Sequence, residues 1–189
     1  MAFSDHPSRA EILRVPGYLY RGCTSPLTEP DNWGTRLGYA EKGVIIQPNY
    51  RTIAAPNEES GQTPVAKAFI GAFARLFVVL KNWNNEVLSA IFPGCQVAGP
   101  GLVFPGSIKP GQDLLASAYT APLLFVPRDT ANNPCALLQK ASANMIETAQ
   151  FRLSLNTDTV FPAVFDGYQK TTDPDGTYSM RPLSETVLR

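Results

Sequence analysis

The chain has 189 residues, enough for a single domain over residues 1–189 that buries roughly two-thirds of its unfolded surface. A hydrophobic content of 44% argues against disorder, and only 17% charged residues, against about 25% in average proteins, make for a charge-poor surface prone to association. Sixteen basic and sixteen acidic residues cancel and no basic block occurs, which argues against sequence-nonspecific gripping of nucleic-acid phosphates.

In chain order, residues 1–11 read as a loose arm. Ile12 to Cys23 reaches the apolar-aromatic run Tyr18-Leu19-Tyr20, a first strand. Thr24 to Gly38 is rich in Pro, Thr, Asp and Gly and reads as a long surface loop holding Trp33. Loops of that length without structure of their own are uncommon and often functional. Gly43 to Ala55 reads as a strand interrupted at Pro48, and a proline inside such a run points to a sheet edge or a bulge.

The stretch from Val65 to Leu80 fits two periods. As a strand, Ala66, Ala68, Ile70, Ala72, Ala74, Leu76, Val78 and Leu80 make one apolar face. The other face alternates Phe69, Phe73 and Phe77 with Lys67, Gly71 and Arg75. As a helix, Phe69, Phe73, Leu76, Phe77 and Leu80 also align, and the alanine content tips the balance toward helix. Asn82 to Phe92 reads as a short amphipathic helix, with an Asn cap, Glu86 early, and Val87, Leu88 and Ile91 on one stripe before Pro93 and Gly94.

Short glycine- and proline-punctuated pieces follow. Leu123-Leu124-Phe125-Val126 reads as a buried strand ended by Pro127, and Cys135 to Ala143 as a run of small and apolar residues. Ala149 to Leu155 alternates like a half-buried strand, and Val160 to Phe165 is another apolar run. Asp173-Pro174-Asp175-Gly176 is a tight-turn sequence, after which residues 169–189 complete a C-terminal extension.

Compartment signals are plain. Cys23, Cys95 and Cys135 are odd in number and far apart, as expected of free thiols in a reducing compartment. The N-terminus lacks the apolar core of a signal peptide, and the run at 65–80 carries Lys67 and Arg75 and is too short to span a bilayer. The expectation is a soluble protein made in the cytoplasm, with no membrane partner.

Chemistry-bearing patterns are weak. His6, the one histidine, lies in the arm, and no Ser or Cys sits in a nucleophile frame. Glu58-Glu59 are adjacent and point apart, and Asp173 and Asp175 lack further ligands at calcium-loop spacing. Gly99-Pro-Gly-Leu-Val-Phe-Pro-Gly offers glycines but no Lys for phosphate. The reading is no enzyme, no metal and no cofactor. Trp33 in its polar loop is either a partner anchor or a side chain folded back on its own core.

The order of these elements resembles the phage major tail tube protein family, whose fold is shared with related contractile injection systems. Tyr18-Leu19-Tyr20-Arg21-Gly22, the long loop, and Trp33-Gly34-Thr35-Arg36-Leu37-Gly38 resemble its first strand, stacking loop and G-x-x-L-G passage into the next strand. Glu59-Ser60-Gly61-Gln62-Thr63-Pro64-Val65 resembles its acidic-glycine turn, and Leu76 to Phe92 its strand-to-helix passage. Leu123–Pro127 and Ala141–Phe165 resemble its later strands, so that the likeness covers about residues 12 to 168.

The resemblance implies a mainly β fold, an antiparallel β-sandwich or barrel with one α-helix, in which 65–80 is a strand. It also implies hexameric rings stacked into a hollow tube in the virion, through which DNA passes without specific binding. Other tail proteins, such as the tape measure, the terminator and a sheath, are then the partners. On that basis Thr28, Asp31, Trp33 and Arg36 would serve ring stacking, and Lys67, Phe69, Phe73, Arg75 and Phe77 an intersubunit strand. The arm and the C-terminal extension would link neighbours. Two rival readings stand: a tail terminator or head–tail connector that forms one closed ring, and a β-sandwich ligand-binding module that uses loop 24–38.

Overall fold

A computed structural model of the chain describes residues 11–13, 15–56, 64–81, 85–92, 96–98, 101–103, 109–113, 115–116, 119–144, 161–168 and 178–186. The elements are β1 (Glu11–Leu13), β2 (Gly17–Arg21), β3 (Thr35–Ala40), β4 (Val44–Pro56), β5 (Pro64–Leu80), α1 (Asn85–Ile91), β6 (Gln96–Ala98), β7 (Gly101–Val103), β8 (Ala121–Pro127), β9 (Cys135–Ala143), β10 (Phe161–Tyr168) and β11 (Tyr178–Arg181). The fold is mainly β: nine strands form one antiparallel sheet in the order β1-β4-β5-β10-β9-β8-β2-β3, with β11 on β9, while β6 and β7 pair apart from it. α1 is the α-helix of the described residues.

The ambiguous stretch at 65–80 is a strand. Its partners decide the matter: β4 lies antiparallel along it from Val44↔Val78 to Pro56↔Pro64, and β10 along its other side from Phe161↔Leu80 to Tyr168↔Phe73. Local alanine propensity, worth tenths of a kcal/mol per residue, is overridden by two ladders and by burial of alternate side chains.

The sheet rolls on itself without closing into a barrel. Its last strand, β3, approaches the end of β5, where the Lys81 amide donates to the Tyr39 carbonyl at 3.2 Å. The roll encloses a core made by alternate residues, among them Leu19, Leu37, Ile46, Leu76, Phe125 and Phe161, and α1 adds Val87, Leu88 and Ile91. A second, smaller core lies on the opposite face of β2, β8 and β9. There the loop after β2 folds over Leu124, Val126, Cys135 and Leu137 and contributes Cys23 and Leu27. Two cores explain why Leu123-Leu124-Phe125-Val126 lacks alternation: both faces of β8 are covered.

Four expectations need correction. β4 runs unbroken through Pro48, which pairs with Ala74. Among the described residues β1 covers β4 only at Val44–Ile46, so that Pro48 lies on an edge strand, where a proline is tolerated. The loop after β2 is shorter than read, because Thr35 to Gly38 belongs to β3. It also carries a 3-10 turn at Pro30–Trp33. The C-terminal extension is in part built into the chain's own sheet, with Tyr178–Arg181 paired to Cys135–Leu138. Finally, the alternation of β5 is not uniform along its length, because its register with β4 shifts between Gly71 and Phe69. The expected strand at 149–155, the Asp173–Gly176 turn, Glu58-Glu59, His6, Cys95 and the helix start at Asn82 lie outside the described residues.

Candidate functional site

Both neighbours of β5 and β4 end before they do. β10 stops at Tyr168, opposite Phe73, and β1 stops opposite Ile46. Beyond those points β4 and β5 pair only with each other, so a two-stranded ribbon projects from the sheet with both outer edges free among the described residues. Such edges carry unpaired N–H and C=O groups and are templates for another strand.

The ribbon's side chains are set by a β-bulge. The register steps from Arg51↔Gly71 to Thr52↔Phe69, which leaves Ile70 without an opposite residue. Gly71 has φ +155°, a conformation that favours glycine, and open space where a Cβ would stand. The extra residue inverts the parity of β5. Phe73, Arg75 and Phe77 share the sheet's outer face, but Phe69 is moved to the face that Tyr50 and Ala72 occupy. There its ring lies 6.3 Å from that of Tyr50. The single phenylalanine face read from the sequence is therefore split, because a period-2 count cannot detect a bulge.

Exposure follows from this geometry. Tyr50 is 67%, Phe69 59% and Ile53 56% exposed, and Lys67 and Ala68 are exposed beside them. Exposed apolar groups thus lie on both faces of the ribbon: Tyr50 and Phe69 on one, Ile53 and Ala68 on the other. The outer face of the adjoining sheet continues the pattern, with Ile45 at 40%, Val79 at 41%, and Phe77 half-buried between them.

A polar cluster marks the root of the ribbon. Arg75 Nε donates to Asp166 Oδ1 at 2.7 Å and its Nη2 to Oδ2 at 3.4 Å. Asn144 Nδ2 donates to the same Oδ2 at 2.7 Å. Asp166 is 7% exposed, and its carboxylate raises the Arg75 guanidinium further above its ordinary range, chiefly through the hydrogen bond. The Phe73 ring lies between two guanidinium groups, that of Arg51 at 5.6 Å and that of Arg75 at 5.8 Å.

The residues expected to serve ring stacking lie elsewhere and apart in character. Thr28 and Asp31 are exposed on the loop. Trp33 is half-buried: its ring meets Tyr20 edge-on at 5.2 Å and its Nε1 donates to the Leu27 carbonyl at 2.7 Å. Of the two alternatives for Trp33, the geometry is that of a side chain folded back on its own core. Arg36 is exposed on β3 with its guanidinium 5.3 Å from the Tyr18 ring centroid. The loop is held from within, by the Thr24 amide on the Asn32 carbonyl at 2.7 Å and by Asn32 Nδ2 on the Pro26 carbonyl at 3.0 Å. Gly34 closes it at φ +81°, where a Cβ would stand 2.5 Å from the Arg21 carbonyl oxygen. Sequence reasoning missed Tyr50, Ile53, Asp166 and Asn144; a free edge and a root cluster depend on where neighbouring strands stop, which no local pattern states.

No cluster of three or more His, Cys, Asp or Glu suited to a metal occurs among the described residues. No helix among them is long and apolar enough to cross a membrane. No protein-family model matches the chain, and no curated protein matches it. Among solved structures the chain is similar to one titled "Crystal structure of Hcp protein", at 10% identity over 88% of this chain and 98% of that chain, with a TM-score of 0.31. A likeness of that size adds nothing to the geometry above.

Proposed function

We propose that the chain is a non-enzymatic structural subunit that assembles with copies of itself, through the β4–β5 ribbon, into rings that stack as a tube. The observation that carries this reading is the ribbon: two strand edges that are free among the described residues, with exposed apolar side chains on both faces. Exposed apolar surface costs about 25 cal/mol per Å², and pairing with a neighbouring strand relieves that cost and satisfies the edge at once. A contact between two different surfaces of identical subunits closes into a ring at a fixed rotation, and rings stack when their two ends are complementary.

The finer identity follows the family resemblance of the sequence: a phage tail tube subunit, hexameric, in the virion, made in the host cytoplasm, and passing DNA through its lumen. In that setting the ring-stacking contacts come from Thr28, Asp31, Trp33 and Arg36, of which Thr28, Asp31 and Arg36 are exposed, and the tape measure, terminator and sheath are the further partners. A terminator or connector would use the same ribbon to form one closed ring. The ligand-binding reading has less support, since the Trp33 ring and its N–H are both engaged within the chain.

Sedimentation velocity over a wide concentration range tests the proposal. Wild type should populate a discrete ring and larger species, and a Phe69→Asp/Ile53→Lys double variant should stay monomeric with an unchanged circular dichroism spectrum. A wild-type protein that is monomeric throughout, or a double variant that assembles normally, would sink it.

A further inference from the structure

The ribbon can direct assembly only if it leaves the sheet at a fixed angle, and a two-stranded ribbon alone is flexible and marginally stable. The side chains at its root form a continuous series across four elements. Arg51, on the free part of β4, lies against the Phe73 ring of β5. Arg75, two residues on, lies against the same ring and grips Asp166 of β10 with two nitrogens. Asn144, just past the end of β9, donates its Nδ2 to Oδ2 of that carboxylate, and its backbone N–H donates to the Val164 carbonyl at 2.7 Å.

The placement gives the series its meaning. Asp166↔Arg75 and Tyr168↔Phe73 are among the last registered pairs before β5 loses β10. The carboxylate therefore binds the ribbon's base where the backbone ladder gives out. Charge-assisted, two-point contact between Arg and a carboxylate fixes direction as well as distance. The Arg75 side chain is 34% exposed, so water screens the pair and its contribution to global stability is modest. Asp166 itself is 7% exposed, so the acceptor end of the contact is held in place by the sheet.

We propose that Asp166, held by Arg75 and Asn144, is a positioning residue that locks the ribbon's projection angle and thereby sets the geometry with which copies meet. The proposal rests on the assembly reading above. It assigns to a buried carboxylate the task of making the ribbon competent for closed assembly. Arg51 and Phe73 extend the lock from the root to the first free residues of the ribbon.

Hydrogen exchange with residue-level resolution on Asp166→Asn tests it, alongside electron microscopy of the same protein. Asparagine keeps the shape and an acceptor oxygen but loses the charge. Amides of Gln47, residues 49–53 and residues 67–72 should exchange at least about tenfold faster, with the amides of β8 and β9 unchanged. The assemblies should become irregular in diameter. Arg51→Gln, at an exposed position that cannot disturb the core, should speed exchange in the ribbon by a smaller factor. Arg75→Lys, which keeps the charge but loses the two-point grip, should fall between. Ribbon exchange and particle diameter identical to wild type in Asp166→Asn would overturn the proposal, as would equal loss of protection in β8 and β9, which marks a merely structural role. If wild type forms no assemblies, the assembly reading fails, and the exchange comparison still decides whether Asp166 locks the ribbon.

Discussion

The two halves of β5 belong to one strand and carry similar residues, yet they meet opposite surroundings. Ala74, Leu76, Val78 and Leu80 are buried, sealed by β4, β10 and the inner core. Lys67, Ala68 and Phe69 are exposed, with β4 as their single partner strand among the described residues. The boundary is Phe73, where β10 ends, and the Gly71 bulge lies just beyond it. One half is built for the chain's own fold. The other presents apolar groups with nothing from the described chain to cover them, so its composition makes physical sense as a contact surface.

Mutations should separate the halves by effect. Leu76→Ala removes a fully buried side chain and should cost about 2–5 kcal/mol in denaturant unfolding of the monomer. Phe69→Ala, seven residues away, should change monomer stability by no more than about 0.5 kcal/mol and weaken association instead. Equal losses at the two positions would erase the distinction. Gly17→Ala marks the body's intolerance of volume: its Cβ would stand 2.5 Å from the Val126 carbonyl oxygen and 2.6 Å from Phe125 Cζ, so unfolding should come about 1–3 kcal/mol sooner. Gly71→Ala meets open space but an unfavourable φ. A cost of about 1 kcal/mol is expected, accompanied by faster exchange confined to the ribbon.

A subtler contrast concerns pH. Burial pushes the Cys135 thiol up to about 11 from 9.0, because the small core disfavours the thiolate. Between those values the folded state holds a proton that the unfolded state has lost. Stability is therefore complete below about pH 9 and declines as pH rises through that window. Iodoacetamide at pH 8 should leave Cys23 and Cys135 unlabelled until the protein unfolds, as peptide mass spectrometry can show; both are buried. Rapid labelling of either in the native state would mean that the loop over the small core opens readily.

Much of the architecture was legible in the sequence, for identifiable reasons. Leu123–Val126, read as a buried strand, is β8, while Cys135–Ala143 and the run near Phe161, read only as apolar runs, are β9 and β10; their hydrophobic content specified burial but not the form. The helix at Asn85–Ile91 followed from the Val87, Leu88, Ile91 stripe. The strand at Pro64–Leu80 was not decided by its own periodicity, since alanine and phenylalanine spacing satisfied both forms; long-range pairing decided it. The candidate surface was half legible. Lys67 and Phe69 were singled out, but the bulge that separates Phe69 from Phe73 depends on register with β4. Asp166 and Arg75, 91 positions apart in sequence, meet only through strand pairing.

The central claim, that the free ribbon is an assembly element, is tested most directly by negative-stain electron microscopy of the purified full chain at high protein concentration. Rings with a central opening, alone or stacked end to end, are expected for wild type. A field of small compact particles with no rings at any concentration would contradict the claim.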